Sequence, residues 1–268
     1  MSRISAKFEA LRSKREGALI AFVTAGYPKP ELTPQIVQTL ASHADIIELG
    51  IPFSDPIADG PTIQGAADRA LKAGTTPETV REIISQIRCT SEVPLVVLTY
   101  YNIVFKWGVD EFVRDFTAAG MDGIIIPDLP VEEAGEVLEA TRKYGADLIL
   151  LVAPTTTPER LKRICDLSGG FLYVVSLLGV TGAREQLSES IKPLIADVRK
   201  ISRVPIAVGF GISNPEHVKG VIMAGADGAI VGSAFINLIT KNLKDQQKML
   251  RELDQFGKIL KATARLAH

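Results

Sequence analysis

The sequence predicts an α/β protein of the (β/α)8 TIM barrel class with an extra N-terminal helix, and three observations carry that prediction. Eight short, almost continuously apolar runs recur along the 268 residues, the pattern of parallel strands covered on both faces rather than strands with one wet face. A polar or glycine-rich turn and a stretch of helical periodicity follow the runs in alternation. No Gly-x-Gly-x-x-Gly opens a helix after the first run, where Val23-Thr24-Ala25-Gly26 stands instead, which counts against a doubly wound open sheet. Eight βα units in about 250 residues is the arithmetic of the barrel. No Ser/Gly linker or shift in composition divides the chain, so residues 1–268 read as a single barrel domain.

Taken in order, residues 4–16 carry Ile4, Phe8 and Leu11 at i, i+4 and i+7 and read as a helix ahead of the first strand, closing the barrel floor. Strands are expected at 19–24, 45–50, 95–100, 123–127, 147–152, 171–176, 205–209 and 228–232. Asp110 is expected to cap a helix whose stripe is Phe112, Val113 and Phe116. Residues 243–264, with Met249, Leu253, Phe256 and Leu260 at helical spacing, form another. The helix-to-strand joints repeat a signature: HAD at 43–45, GMDG at 120–123, GAD at 145–147 and GADG at 225–228. A glycine able to take the left-handed C-cap, then Asp, then a buried strand, makes a compact αβ turn. Two other strands open on Val-Pro, at Val93-Pro94 and Val204-Pro205, where a strand's first position tolerates proline.

Composition removes several function classes. Thirty basic against 31 acidic residues leave a net charge of -1, with no basic excess to drive binding to a nucleic-acid backbone. The longest apolar runs, such as 148–153, are about six residues where a membrane span needs about 18 or more. The N-terminus mixes Glu9 and Glu16 with its basic residues and lacks an apolar signal core, so a cytoplasmic protein is expected. Cys89 and Cys165 are too few for a disulfide framework or a structural zinc site.

Barrel chemistry sits where strands end. No lysine stands at any of the eight ends, which argues against an imine-forming mechanism. His43 precedes a strand on the floor side, His217 sits at a helix start and His268 is terminal, so neither a histidine metal site nor a Ser-His-Asp triad is expected. Carboxylates remain: Glu48, Asp55, Asp59 and Asp128. Period two puts Ile46, Glu48 and Gly50 on one face of their strand. If that face is the lumen, desolvation lifts the Glu48 pKa and suits it to proton transfer; the alternative is a buried salt bridge. Asp59 lies in a proline-rich loop and could equally cap the helix that begins near Pro61. Asp55 could be a turn residue, and a turn-stabilising role suits Asp128.

Glycines mark a second group. Gly209-Phe210-Gly211-Ile212-Ser213 follows the seventh strand and Gly232-Ser233 the eighth. Backbone N–H groups there, beside a helix N-terminus, form the usual barrel phosphate site. Gly179-Val180-Thr181-Gly182-Ala183 after the sixth strand reads as a mobile lid. On the residues alone, another phosphate-binding barrel, an isomerase or a decarboxylase, stays open.

The run from Ile47 to Gly60, Ile-Glu-Leu-Gly-Ile-Pro-Phe-Ser-Asp-Pro-Ile-Ala-Asp-Gly, resembles the signature of the tryptophan synthase alpha subunit family. Phe22-Val23-Thr24-Ala25-Gly26, Tyr100-Tyr101-Asn102, Gly179-Val180-Thr181-Gly182 and Gly209-Phe210-Gly211 match that family in order and spacing. The resemblance implies a barrel that cleaves indole-3-glycerol phosphate to indole and D-glyceraldehyde 3-phosphate. It implies Glu48 as general acid and base, and Asp59 as the partner of the indole N–H. Phe22, Leu98, Tyr100, Ile125, Leu151 and Tyr173 would line the indole and glycerol pocket, and Thr181, Gly182, Phe210, Gly211, Gly232 and Ser233 would hold the phosphate and the lid. It further implies no metal or cofactor in this chain, and a pyridoxal-phosphate-dependent beta subunit in an α2β2 assembly, faced by Asp55, Pro56, Asn102 and Phe105. Leu177 stands where some relatives have Arg, and Pro127 where others have a smaller residue. A free-standing lyase, or a non-catalytic barrel that activates a beta partner, are the alternatives.

Overall fold

The computed structural model describes residues 2–175, 186–209 and 211–266. Its strands are β1 (Ala18–Thr24), β2 (Ile46–Gly50), β3 (Leu95–Leu98), β4 (Gly123–Ile125), β5 (Asp147–Ile149, resuming as Leu151–Val152), β6 (Leu172–Val175), β7 (Ile206–Gly209) and β8 (Gly228–Val231). All pairings are parallel, and β1 lies between β2 and β8. The first piece of β5 pairs with β4 and the second with β6, so the two ends of the sheet are one strand and the ring closes. At the break the Leu150 N–H is donated to Ser168 Oγ at 3.0 Å, while the Leu150 carbonyl still accepts from Tyr173 N at 3.1 Å. The structure is thus a (β/α)8 barrel with an extra N-terminal helix.

Every residue of β1, β2, β3, β7 and β8 is buried, as apolar runs require of strands covered on both faces. β3 and β4 end two residues earlier than their apolar runs. Tyr100 becomes the N-cap of the helix Tyr101–Trp107, and Pro127 has no N–H to give a ladder. Helix Arg3–Lys14 buries Ile4, Phe8 and Leu11. Ile4 reaches the barrel floor, where a β-carbon on Gly123 would stand 2.9 Å from its Cδ1. The C-terminal helix runs Gln246–Leu266 and buries Met249, Leu253 and Leu260. Asp110 does not cap its helix. Gly108 is the N-cap of Val109–Ala119, and the Asp110 carboxylate instead takes Lys143 Nζ at 2.8 Å and the Tyr144 hydroxyl at 2.6 Å.

Three of the four joint aspartates have a tertiary role beyond their turns. Asp45, before β2, accepts the Leu19 N–H of β1 at 2.9 Å. Asp122, before β4, accepts the Leu95 N–H of β3 at 2.8 Å, and Asp227, before β8, accepts the Ile206 N–H of β7 at 2.7 Å. Each fastens its strand to the preceding one at the floor, and each has a cation: Lys261 on Asp45, Arg88 and Arg3 on Asp122, Arg199 on Asp227. Removing one member of a buried pair leaves the other charge desolvated, a loss of about 3–5 kcal/mol. Asp122→Ala is therefore expected to lower the urea midpoint by that equivalent while leaving activity per folded molecule intact. An unchanged midpoint would remove the clip from the account of stability.

Candidate active site

A cavity of about 310 Å³ opens at the C-terminal ends of the strands. Seven strands each turn one side chain into it: Phe22, Glu48, Leu98, Ile125, Leu151, Tyr173 and Ile230. One inward residue per strand follows from period-two alternation around a closed ring. Loops complete the wall with Ala58, Asp59, Gly60, Ile63, Pro127, Gly211, Ile212, Ser213, Gly232 and Ser233. Close approach shapes one corner. Phe22 lies beside Glu48 in register, and a β-carbon on Gly50 would come within 2.8 Å of the Phe22 ring, so only glycine leaves that ring its place.

Glu48 is 1% exposed. Its Oε2 has no hydrogen-bond partner, and among the described residues it forms no ion pair, which removes the salt-bridge alternative. Burial, with the charge of Asp59 adding to it, pushes the Glu48 carboxyl up to about 8. At neutral pH it therefore holds its proton, aimed into a poorly solvated space.

Asp59 is not the helix cap. Gly60 is the N-cap of helix Pro61–Lys72 and makes no side-chain cap bond. The Asp59 carboxylate accepts instead from the Tyr100 hydroxyl at 3.0 Å, and that hydroxyl accepts from Ala58 N at 3.1 Å. Tyr100 stacks on Phe53 with ring centres 5.1 Å apart. Burial raises the Asp59 carboxyl, and the Tyr100 hydrogen bond works against that rise. Tyr100 thus stands behind Asp59, outside the cavity wall, and holds the carboxylate from the far side. Tyr100→Phe removes one hydrogen bond to a charged group, worth about 1.5–3 kcal/mol, and is expected to slow turnover about ten-fold or more. Unchanged turnover would mean that Asp59 is held by its loop alone.

The Tyr173 hydroxyl is driven well above the usual phenol range by burial, then by Glu48 and Asp59, so it stays a neutral donor facing two acids. On the glycine side, Gly211, Gly232 and Ser233 reach the cavity, and Gly232 is the N-cap of the helix Ser233–Lys241. Helix Pro215–Met223 is capped by Asn214 through its own side chain. His217 Nδ1 sits 3.0 Å from the Gly211 carbonyl and pins that loop. Thr181, Gly182 and Phe210, with the lid segment, lie outside the described residues.

The other singled-out groups fall elsewhere. Asp128 accepts from Tyr101 N at 2.9 Å and so satisfies a neighbouring helix start rather than its own turn. His43 bonds Asp254 at the floor. Among the described residues no lysine lines the cavity; buried Lys261 is held by Asp45 and the Gly17 carbonyl at the opposite end. Asp55 and Asn102 are exposed, Pro56 is half-buried, and Phe105 is 68% exposed. Ile63 and Ile230 had not been singled out in the sequence. Ile230 was within reach of it, since alternation along 228–232 puts it inward together with two glycines. Among the described residues no group of His, Cys, Asp and Glu could hold a metal ion.

The family model described as tryptophan synthase alpha chain matches residues 8–265. The tryptophan synthase alpha chain of Methanocaldococcus jannaschii is 49% identical over 255 residues, which are 95% of this chain and 90% of that one. The solved structure of tryptophan synthase subunit alpha from Legionella pneumophila is similar at a TM-score of 0.91 and 37% identity, over 98% of both chains. A chain of the tryptophan synthase α2β2 complex from Pyrococcus furiosus is similar at 0.86 and 42%, over 91% of this chain and 98% of that one.

Proposed function

The chain belongs to the tryptophan synthase alpha chain family, and from that premise we propose that its cavity binds indole-3-glycerol phosphate, with Glu48 and Asp59 dividing the acid–base work. The chain is a carbon–carbon lyase of L-tryptophan biosynthesis, and the reaction is the aldol cleavage to indole and D-glyceraldehyde 3-phosphate. Breaking the bond between the ring and the hydroxyl-bearing carbon requires indole C3 to become tetrahedral first. Glu48, protonated at neutral pH, gives its proton to C3. The ring is then an indolenine cation, and the Asp59 carboxylate accepts its N–H and balances its charge. The Glu48 carboxylate next takes the proton of the glycerol hydroxyl. The carbon–carbon bonding pair returns to the ring, the carbonyl of the aldehyde forms, and Glu48 ends as it began. Two acids with unlike surroundings suffice for this division of roles.

The observation that carries this reading is the buried Glu48 carboxyl without a cation, facing Asp59 across one cavity. Phe22, Leu98, Ile125, Leu151 and Tyr173 would enclose the indole and glycerol parts. Gly211, Gly232 and Ser233, with the helix start behind them, would hold the phosphate, joined by Thr181, Gly182 and Phe210. The chain works with a tryptophan synthase beta subunit, as the α2β2 relative does. Asp55, Pro56, Asn102 and Phe105 form the face we assign to it, where Ile57 is also 81% exposed. Pyridoxal phosphate would reside on that partner, as the family resemblance implies. The reading takes residues 1–268 as one domain working in the cytoplasm; no helix of the described residues is long and apolar enough to cross a membrane. Incubating the full chain with indole-3-glycerol phosphate, with and without beta subunit, is expected to release indole. No indole in either arm would overturn the assignment.

A further inference from the structure

A second concave surface lies at the barrel floor, at the opposite end of the strands from the acids. It is a groove of about 830 Å³ between helix Arg3–Lys14 and the turn entering β7, within the range of small-molecule sites. Half-buried Val204 and Pro205, with the edges of the buried Phe8 and Leu11 side chains, form its apolar base. Arg12, Arg15 and Arg203 stand around it, and among the described residues none of the three has a side-chain hydrogen bond or an ion pair. The acids nearby are mostly taken. Glu16 is held by Lys261 and Arg265, and Asp227 by Arg199 and the Ile206 N–H, which leaves Glu9 as the one unpaired acid in the lining. The groove therefore presents three exposed guanidinium groups with no protein partner among the described residues, in a chain whose net charge is -1.

Arg15 supplies an independent observation. It is the only non-glycine residue with positive φ among the described residues, at φ 55°, ψ 45°, where it ends helix Arg3–Lys14. That left-handed cap position favours glycine, and the chain uses Gly120 and Gly145 for it at the ends of helices Val109–Ala119 and Gly135–Tyr144. Only at this groove does an arginine occupy the strained position, and residues kept in such backbone regions cluster at ligand sites.

We propose that the floor groove is a binding site for an organic di- or triphosphate, with the phosphates on Arg12, Arg15 and Arg203 and an apolar ring system on the base. Forked guanidinium donors match phosphate oxygens in pairs, and the apolar base gives a planar group somewhere to lie. The inference goes beyond the lyase reading and does not depend on it. Calorimetric titration of the full chain with ADP, pyrophosphate and adenosine tests it. ADP is expected to bind more tightly than either fragment and to weaken with salt. Arg15→Gly is expected to weaken ADP binding about ten-fold or more while the Tm stays the same or rises by about 2 °C. Indole release by that variant should match the wild type, and saturating glycerol 3-phosphate should not displace ADP. A residue serving only to end its helix would give the same Tm gain with no change in ADP affinity, which would overturn the proposal. Absence of ADP binding at millimolar concentration, or displacement by glycerol 3-phosphate, would overturn it as well.

Discussion

Glu48→Gln is expected to lower indole release by about 10²–10⁴-fold or more, the range for removing a general acid–base, with the fold and phosphate affinity retained. The carboxyl faces the cavity without a cation, so an amide of the same shape disturbs no ion pair. Stability should move the other way from activity. The folded group titrates near 8 against 4.5 for the ordinary side chain, so between those values the folded state holds a proton that the unfolded state has lost. Wild-type stability therefore falls as pH rises from about 4.5 to about 8, by at most about 5 kcal/mol, and changes no further from this group above that. The Gln variant lacks this slope and should melt increasingly above the wild type across that window. The alkaline limb of the wild-type kcat/KM profile near pH 8 should vanish with it. Turnover like the wild type, or parallel melting-against-pH curves, would assign Glu48 to packing.

Asp59→Asn is expected to cost about 10²–10³-fold in turnover, the scale for losing one group that meets charge formed in the transition state. Thermal stability should hardly change, because the helix that follows is capped at Gly60 without help from the Asp59 side chain. The Asp59 carbonyl, which accepts from Gln64 Nε2 at 2.8 Å, is untouched by the change. A lower Tm with intact turnover would reverse the assignment.

Glu48 was legible because an acid inside an apolar strand has few explanations, and alternation alone says which face it takes. Asp59 was not, since a proline-rich loop can aim the same carboxylate at a helix start or at a cavity; only the path of the loop decides, and Tyr100 is part of what holds it. Tyr100 was expected in the wall on the family resemblance alone. The helix that begins at Tyr101 turns it behind Asp59 instead. The joint aspartates were recognised as turn chemistry, yet their bonds to Leu19, Leu95 and Ile206 join residues 21–27 apart, beyond any local rule. Asp110 failed as a cap because Gly108, two residues earlier, had already begun the helix.

The break in β5 at Leu150 has a consequence for how the molecule breathes. There a serine hydroxyl substitutes for the inter-strand ladder, and the pieces on either side are three and two residues long. Opening should thus begin at this seam, and amide exchange at Leu150 to Val152 should outpace that at Ile46 to Gly50 on the opposite arc. Leu151, whose side chain walls the cavity, rides on that flank, whereas Glu48 sits in a stave paired over at least four residues on both sides. Widening for a bulky guest should then start at this seam and leave Glu48 in place.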